Sequence, residues 1–303
     1  MNSIISFPDR GPWGKSSYRG NCSGYVQKSL FEQFKTREVT DPMAGSFTTR
    51  DVANEMGIIS HCYDLSQGFN ALKDEIPDEA CRSDTWFWHP PYSSIIGIPY
   101  AGSQWDDKTF EEHYGYDPKP YDLGRMDWRE FVDAMNLCLM KFYQAMDTGA
   151  RICVLMGDIK RKGKCYSMLC EIAKPGQLEN IVIKAQHNCV SDRTTYSGNS
   201  FIPIVHEYVM ILKKPSPYEF EVILPRTYNV DVRDSKSSSW RDVVFAALKN
   251  LGGKAELGDI YNELDGHSKT TQNPHWREKI RQTLQLSKLF ASDSRGVWAL
   301  AAA

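Results

Sequence analysis

The sequence predicts an α/β fold followed by a separate small helical module. Short apolar runs of strand length alternate with amphipathic helical patterns through residues 24–213, which is typical of a sheet built from parallel strands. A polar stretch, V-R-D-S-K-S-S-S, follows over residues 232–239, and the pattern beyond it is mainly helical. We therefore expect a first domain at residues 1–231, a linker at residues 232–239 and a second domain at residues 240–303.

The first part of the α/β region contains a complete strand–helix–strand unit. Residues 1–20, rich in Gly, Pro, Ser and Arg, are expected to form an extended arm. The pattern then predicts a helix over residues 24–35, a strand over 38–41, a helix over 48–56 ended by Gly57, and a strand over 58–64. This order is the building block of a parallel sheet.

A second passage of strands and helices completes this region. An apolar strand at residues 83–88 stops at the sequence H-P-P-Y, and a long polar and aromatic insertion follows over residues 93–125. Further along the chain, the pattern predicts a helix over residues 128–148, a strand over 151–156, another helix, and late strands over 181–184 and 205–213.

The C-terminal region has a different pattern, with three helices and a hairpin. Helices are predicted over residues 240–251, over 257–264 and up to residue 286, the third with Asn273 as its N-cap and Pro274 in its first position. Residues 290–291 and 297–300 flank a turn and predict a two-stranded hairpin. Three helices and a two-stranded wing predict a winged helix-turn-helix domain.

The bulk composition sets broad limits on partners and compartment. Apolar residues make up 41% and charged residues 24% of the chain, as in soluble proteins, and the net charge of −2 means that any nucleic-acid surface must be a local patch. The eight cysteines form no C-x-x-C pair, which favours buried free thiols in a reducing compartment. No signal peptide or run of ~18 apolar residues is seen, so we expect a cytoplasmic protein without a membrane partner.

The first candidate site is the segment D-P-M-A-G-S-F-T-T over residues 41–49. A turn at the end of a parallel strand needs a small residue where the backbone approaches a ligand, and Gly45 supplies it. The following helix offers free N–H groups at its N-terminus, and Asp64 ends the next strand, where an acid can accept hydrogen bonds from ribose hydroxyls. The alternative is an ordinary strand-to-helix turn.

The second candidate site is His89-Pro90-Pro91-Tyr92, directly after an apolar strand. Prolines cannot donate to a sheet ladder, so a free carbonyl and a polar side chain at this strand end can grip an amino group through its two hydrogens. Tyr92 could then stack on a flat base that has been flipped out of a duplex. The alternative is a Pro-Pro pair without a function.

Together these motifs resemble the N6-adenine and N4-cytosine DNA methyltransferases. The family's cofactor motif is D-P-F-x-G-S-G-T-T and its catalytic motif is D/N/S-P-P-Y/F, matched here at residues 41–49 and 89–92. Residues 18–24, 157–163 and 206–214 also resemble family segments, so the resemblance covers roughly residues 10–215. This chain departs from the pattern at Phe47, in place of the second glycine, and at His89, in place of the acid or amide.

The resemblance implies a Rossmann-like S-adenosylmethionine-dependent methyltransferase fold with a mixed sheet whose last strand is antiparallel. The methyl donor would be S-adenosylmethionine, and neither a metal nor a covalent enzyme intermediate would be needed. His89, Pro90, Pro91 and Tyr92 would be catalytic. The residues implied in cofactor binding are Asn21, Ser23, Asp41, Pro42, Met43, Gly45, Ser46, Thr48 and Asp64.

The partner implied by the resemblance is double-stranded DNA. The C-terminal region is similar to winged-helix modules appended to restriction–modification proteins, so a cognate restriction or defence partner is compatible with it. Base recognition is expected from the insertion at residues 93–125, the loop at residues 192–199, or the C-terminal module. The residues expected to contact DNA phosphates are Lys160, Arg161 and Lys162, and, in or beside the third C-terminal helix, Lys269, Arg277, Lys279 and Arg281.

Several functions stay open at this point. Adenine N6 is the preferred target, with cytosine N4 as the alternative because His89 removes the residue that usually separates them. An RNA or protein-glutamine methyltransferase could share the P-P-Y chemistry, since a glutamine amide resembles the amino edge of a base. The departures at Phe47 and His89 keep a non-catalytic DNA-binding regulator as a third class. The oligomeric state is left open by the sequence.

Overall fold

The computed structural model describes residues 1–18, 20–96, 115–187, 202–215, 221–226 and 238–301. The chain divides into two compact units, Met1–Pro225 and Arg226–Ala303. No helix in the described residues is both long enough and apolar enough to cross a membrane. Residues 97–114, 192–199 and most of the expected linker lie outside the described residues.

The first unit contains eleven strands and five α-helices among its described residues. The strands are β1 (Ile4–Ser6), β2 (Glu38–Asp41), β3 (Ile59–Cys62), β4 (Thr85–Trp88), β5 (Arg151–Met156), β6 (Asp158–Arg161), β7 (Lys164–Ser167), β8 (Lys174–Pro175), β9 (Gln177–Ala185), β10 (His206–Lys213) and β11 (Val222–Ile223). The helices are α1 (Gly24–Phe34), α2 (Thr48–Met56), α3 (Asp78–Cys81), α4 (Trp128–Ala145) and α5 (Met168–Glu171).

Seven of these strands form one mixed sheet in the order β1-β9-β10-β5-β4-β2-β3. Strand β10 runs antiparallel to both of its neighbours, and the other four pairings are parallel. The sheet confirms the predicted α/β class and the antiparallel late strand, and it is compatible with a Rossmann-like fold.

The order of the strands creates a crossover point between β2 and β4. After β2 the chain passes through α2 to β3 on one side of β2, and then returns to β4 on the other side. The loops that leave the carboxyl ends of β2 and β4 therefore diverge to opposite sides and open a crevice between them. Ligands of open α/β sheets bind at such a point.

Apolar side chains cover both faces of the sheet, because successive residues of a strand point to opposite faces. Trp86 and Trp88 are fully buried against α4, where Phe142 lies edge-on to Trp88. Phe87, between the two tryptophans, packs on the opposite face with α1 and α2. The strand that precedes H-P-P-Y is thus fixed from both sides.

Two elements of the first unit differ from the sequence-based expectation. Strand β1 pairs in parallel with β9 at the sheet edge, within residues that were expected to form only an extended arm. A hairpin of β6 and β7 follows β5, where no hairpin was predicted. Its turn residues, Lys162 and Gly163, both have positive φ, which matches the twist of a two-residue hairpin, but Lys-Gly is a weaker turn signal than Asn-Gly.

The second unit contains, among its described residues, four helices and a three-stranded antiparallel sheet in the order β12-β14-β13. Its elements are α6 (Trp240–Asn250), β12 (Lys254–Glu256), α7 (Leu257–Leu264), α8 (Ser268–Thr271), α9 (Trp276–Leu286), β13 (Phe290–Ser294) and β14 (Val297–Leu300). Strand β12 and helix α8 were not predicted. Helix α9 begins at Trp276 with His275 as N-cap, so the prediction of Asn273 as N-cap was wrong.

Candidate active site

A cavity lies where β2 and β4 end, at the crossover point of the sheet. It contains about 960 Å³ of space free of protein atoms, counting the part open to solvent. The loop after β2 lines one side and the H-P-P segment after β4 lines another, and the two predicted sites therefore share one cavity. Concave sites at the crossover points of α/β sheets are common places for small molecules to bind.

The Asp41 side chain holds the loop after β2 in place through hydrogen bonds. Its buried carboxylate accepts hydrogen bonds from the Thr49 hydroxyl at 2.5 Å and from the Met43 backbone N–H at 3.1 Å, which ties the loop to the first turn of α2. Burial raises the pKa of Asp41 to about 7, although these two hydrogen bonds oppose the shift. Pro42 and Met43 line the cavity, and the Met43 sulfur accepts a hydrogen bond from the Trp88 indole N–H at 3.1 Å.

The turn at Gly45 and Phe47 contains two left-handed residues. Gly45 has a φ of +52°, and a Cβ there would lie 3.0 Å from the Tyr18 ring. Phe47, at the position of the second glycine of the motif, has a φ of +63°. This conformation is strained for any residue that has a Cβ atom. The buried Phe47 ring is covered by the Arg50 guanidinium at 4.4 Å. Phe47 therefore has a left-handed backbone conformation of the kind that glycine adopts at little cost.

Asp64 joins the end of β3 to the same loop. One carboxylate oxygen accepts from the Gly45 N–H at 2.9 Å, and the other accepts from the Ser66 N–H at 2.9 Å and the Ser66 hydroxyl at 2.5 Å. Burial raises the pKa of Asp64. Each carboxylate oxygen can accept more than one hydrogen bond, so the predicted contact with ribose hydroxyls is compatible with these partners.

Of the remaining residues predicted to bind the cofactor, three line the cavity and one does not. Asn21, Ser46 and Thr48 line the cavity, and the Thr48 hydroxyl donates to the Asn21 side-chain oxygen at 2.6 Å. Ser23 lies outside the cavity lining and donates to the backbone carbonyl of Asp9 at 2.9 Å. The structure therefore brings Asn21 to the cavity and leaves Ser23 outside its lining.

His89, Pro90 and Pro91 line the side of the cavity that follows β4. The His89 imidazole makes no hydrogen bond to any of the residues that the structure describes. Burial lowers the pKa of His89 to about 4, against an opposing effect of Glu207, so the ring is neutral near pH 7. A neutral imidazole with a free nitrogen can accept one hydrogen bond from an amino group.

Tyr92 is placed differently from its neighbours in the motif. Its ring is buried in the hydrophobic core and does not line the cavity. Its hydroxyl donates to Glu207 at 2.8 Å, and the other oxygen of Glu207 lies 2.6 Å from the Lys184 ammonium. Stacking of Tyr92 on a base stays a prediction, and it would require the ring to leave this position.

Several residues of the cavity wall were not predicted from the sequence, and Asp122 and Gln27 are two of them. Asp122 lies in the insertion that follows H-P-P-Y, where the motifs give no guidance, and burial raises its pKa. Gln27 lies on the otherwise apolar face of α1, is 1% exposed, and has an amide oxygen without a hydrogen-bond partner among the described residues. A polar residue on an apolar helix face was the available signal for Gln27.

The cavity wall contains acidic side chains and no lysine or arginine among its described residues. The acidic residues are Asp41, Asp64 and Asp122. Among the described residues there is also no group of three His, Cys, Asp or Glu side chains that could hold a metal ion.

The predicted DNA-contacting residues lie on two separate surfaces. Lys160 and Arg161 on β6, and Lys162 in the following turn, form an exposed hairpin that leaves the carboxyl end of β5. They therefore lie at the same edge of the sheet as the cavity without lining it. In the second unit, Arg277, Lys279 and Arg281 are all exposed on α9. The half-buried Lys269 has its ammonium 5.5 Å from the Trp240 ring.

Comparisons with known proteins add little. No family model matches the chain, and no curated protein matches it significantly. One solved structure, described as "Conversion of a Disulfide Bond into a Thioacetal Group during Echinomycin Biosynthesis", is similar over 69% of this chain and 86% of its own, with a TM-score of 0.30 and 10% identity. A similarity of that degree does not bear on fold or function.

Proposed function

We propose that the chain is an S-adenosylmethionine-dependent DNA methyltransferase that methylates an exocyclic amino group, with adenine N6 as the preferred target. The observation that supports this most is the shared cavity: the Gly45 loop and the His89-Pro90-Pro91 segment line one space at the crossover point. Methyl transfer needs a donor and an acceptor in contact, and holding both in one place supplies much of the catalysis.

The electrostatics of the cavity suit a positively charged methyl donor. Asp41, Asp64 and Asp122 line it, and none of its described lining residues carries a basic lysine or arginine side chain. A sulfonium group is a cation, and it is favoured by nearby carboxylates in a site from which water is largely excluded. The amide oxygen of Gln27 can accept a hydrogen bond from an ammonium group in the same cavity.

The side of the cavity formed by His89, Pro90 and Pro91, called the acceptor side below, can orient an amino group without first removing a proton from it. The Pro90 carbonyl and the neutral His89 nitrogen are two acceptors for the two hydrogens of the group, which leaves the nitrogen lone pair directed at the donor. S-adenosylmethionine, when bound, supplies an activated methyl group, so no metal ligand or nucleophilic side chain is required. The protein's task is to position the reactants and exclude water.

Two surfaces support DNA as the substrate. The basic β6–β7 hairpin lies at the cavity edge of the sheet and carries Lys160, Arg161 and Lys162. The second unit has the element order helix, strand, helix, helix, helix, strand, strand, in agreement with a winged helix, and its α9 carries arginines and a lysine. Phosphate contacts from such residues set position, while base contacts set sequence preference.

The direct test measures transfer of a labelled methyl group from S-adenosylmethionine to duplex DNA, RNA and protein side by side, followed by mass spectrometry of the nucleosides. We expect label in duplex DNA as N6-methyladenine; N4-methylcytosine would revise the base alone. Label only in RNA or in a protein glutamine would replace the proposed substrate. Absence of both donor binding and transfer would favour a non-catalytic DNA-binding regulator.

A further inference from the structure

A buried ion pair of Lys184 and Glu207 lies behind the H-P-P-Y segment. Neither residue belongs to the cofactor or catalytic motif, although Glu207 falls in the family-like segment at residues 206–214. The Lys184 ammonium lies 2.6 Å from the Glu207 carboxylate, and the two side chains are only 11% and 10% exposed. They stand directly opposite one another on β9 and β10. Removing two charges from water is costly, and a buried pair contributes little net stability, so stability alone does not explain its presence.

The pair extends to Tyr92. The second Glu207 oxygen accepts the Tyr92 hydroxyl at 2.8 Å, which joins the end of the H-P-P-Y segment to β10 and, through Lys184, to β9. Gly157 leaves the space for this contact, since a Cβ there would lie 2.8 Å from the Tyr92 hydroxyl. Groups on, or shortly after, the four neighbouring strands β9, β10, β5 and β4 therefore meet at one point outside the cavity lining.

Tyr92 in turn limits the position of His89. The two rings meet edge to face, with their centroids 6.2 Å apart. Only Pro90 and Pro91 separate the two residues in the chain, and their fixed φ angles leave little freedom between the anchored hydroxyl and the imidazole.

We propose that Glu207 and Lys184 are positioning residues of the acceptor side, which hold the Tyr92 hydroxyl and thereby fix His89 and the Pro90 carbonyl for the incoming amino group. This inference rests on the proposed methyl transfer, and it replaces base stacking by Tyr92 with anchoring through its hydroxyl. The charge on Glu207 makes the hydrogen bond to Tyr92 stronger than a neutral one. Lys184 contributes by holding the pKa of Glu207 below its usual value against the effect of burial.

The variant Tyr92→Phe separates anchoring from stacking, because it removes the hydroxyl and keeps the ring. Anchoring predicts that Tyr92→Phe lowers kcat about 10- to 100-fold with KM for S-adenosylmethionine unchanged, as expected from a small misplacement of the acceptor groups. Glu207→Gln should have a similar effect, and the double variant should be no worse than the worse single one. Stacking predicts that Tyr92→Phe turns over at the parent rate, which would overturn the inference.

The matched control is Tyr143→Phe, which removes another buried tyrosine hydroxyl, one that donates to the Lys213 carbonyl at 3.4 Å and lies outside the cavity lining. We expect it to keep the parent kcat. An equal loss of kcat in Tyr143→Phe and Tyr92→Phe would show a general packing effect and overturn the positioning role.

A second readout does not depend on turnover and so separates this inference from the proposed function. The rate at which diethyl pyrocarbonate modifies His89, followed by peptide mass spectrometry, reports how the imidazole is held. We expect the rate to increase several-fold in Tyr92→Phe and in Glu207→Gln, and to stay at the parent value in Tyr143→Phe. If the parent chain transfers no methyl group, this result still supports anchoring; unchanged rates in both site variants would refute it.

Discussion

At the scale of single residues, the acceptor side of the cavity depends on the protonation state of His89. Burial keeps the imidazole neutral near pH 7, so it can accept a hydrogen bond where an imidazolium could only donate. An asparagine amide at this position would offer the same acceptor. Under the proposed function, His89 would therefore keep the hydrogen bond that an acid or amide makes at this position of the motif.

The variant His89→Ala should lower methyl transfer about 100-fold, because one of the two acceptors for the amino group is absent. S-adenosylmethionine affinity, measured by calorimetry, should stay at the parent value. His89→Asn is the matched control and should keep most of the activity. Equal decreases in the two variants would show that acceptance of a hydrogen bond is not the role of this side chain.

Asp41 gives a prediction about stability that is independent of function. Its pKa is about 7 in the folded chain and 3.8 ordinarily, so between these values the folded state binds a proton that the unfolded chain has released. This residue's contribution to stability is therefore present below pH 3.8 and is lost as the pH rises to 7. In Asp41→Asn that pH dependence disappears.

As the pH rises from 5 to 7, the titration of Asp41 should lower the parent's free energy of unfolding by about 2 kcal/mol. Asp41→Asn lacks this loss, so the difference in stability between variant and parent should grow by that amount. Urea denaturation of both proteins at several pH values measures this difference. Curves for parent and variant that stay parallel across this interval would show that Asp41 is not the group responsible.

At the scale of elements, the β6–β7 hairpin is the strongest candidate for contact with DNA in the first unit. It leaves the same sheet edge as the cavity, and its turn is exposed and basic. Exposed lysine and arginine side chains of this kind can contact DNA phosphates and fix the position of a protein on the duplex.

Replacing Arg161 and Lys162 together by glutamine should weaken DNA binding uniformly across sequences. The slope of log affinity against log salt concentration should fall by about 2, because each of the two cations would neutralise one phosphate. Lys35→Gln is the control, since Lys35 is an exposed lysine before β2 at the opposite edge of the sheet. A double variant that binds DNA with the control's affinity and salt slope would remove the hairpin from the interface.

Most helices and strands could be predicted from the sequence because their hydrophobic periodicity is local. Helix α2 and strand β5 match their predicted ranges. The hairpin and β1 could not be found, because a Lys-Gly turn and a three-residue edge strand carry little local signal. The same limit applies to the site: the motifs locate Asp41, Gly45 and His89, whereas the ion pair of Lys184 and Glu207 depends on the register of β9 and β10.

At the scale of the whole molecule, a net charge of −2 coexists with two local basic surfaces, one in each unit. Under the proposed function, long-range attraction to DNA would therefore be weak, and DNA affinity would have to come from these surfaces. The division at Pro225 and Arg226 allows their contributions to be measured separately.

Deletion of residues 240–303 should leave a folded first unit that binds S-adenosylmethionine as tightly as the full chain. DNA affinity should fall at least about tenfold, because the cations of α9 no longer neutralise phosphates. The full chain with Arg277→Gln and Arg281→Gln is the control for effects of the deletion itself, and it should show part of the same decrease in affinity. DNA affinity unchanged by the deletion would indicate that the second unit docks another protein.

The central claim is that one cavity at the crossover point holds methyl donor and acceptor group side by side. A crystal structure of the full chain with S-adenosylmethionine tests it most directly. We predict donor density between the Gly45 loop and the H-P-P segment, with the methyl group directed toward the Pro90 carbonyl. Donor bound elsewhere, or bound here with its methyl group directed away from Pro90, would contradict the claim.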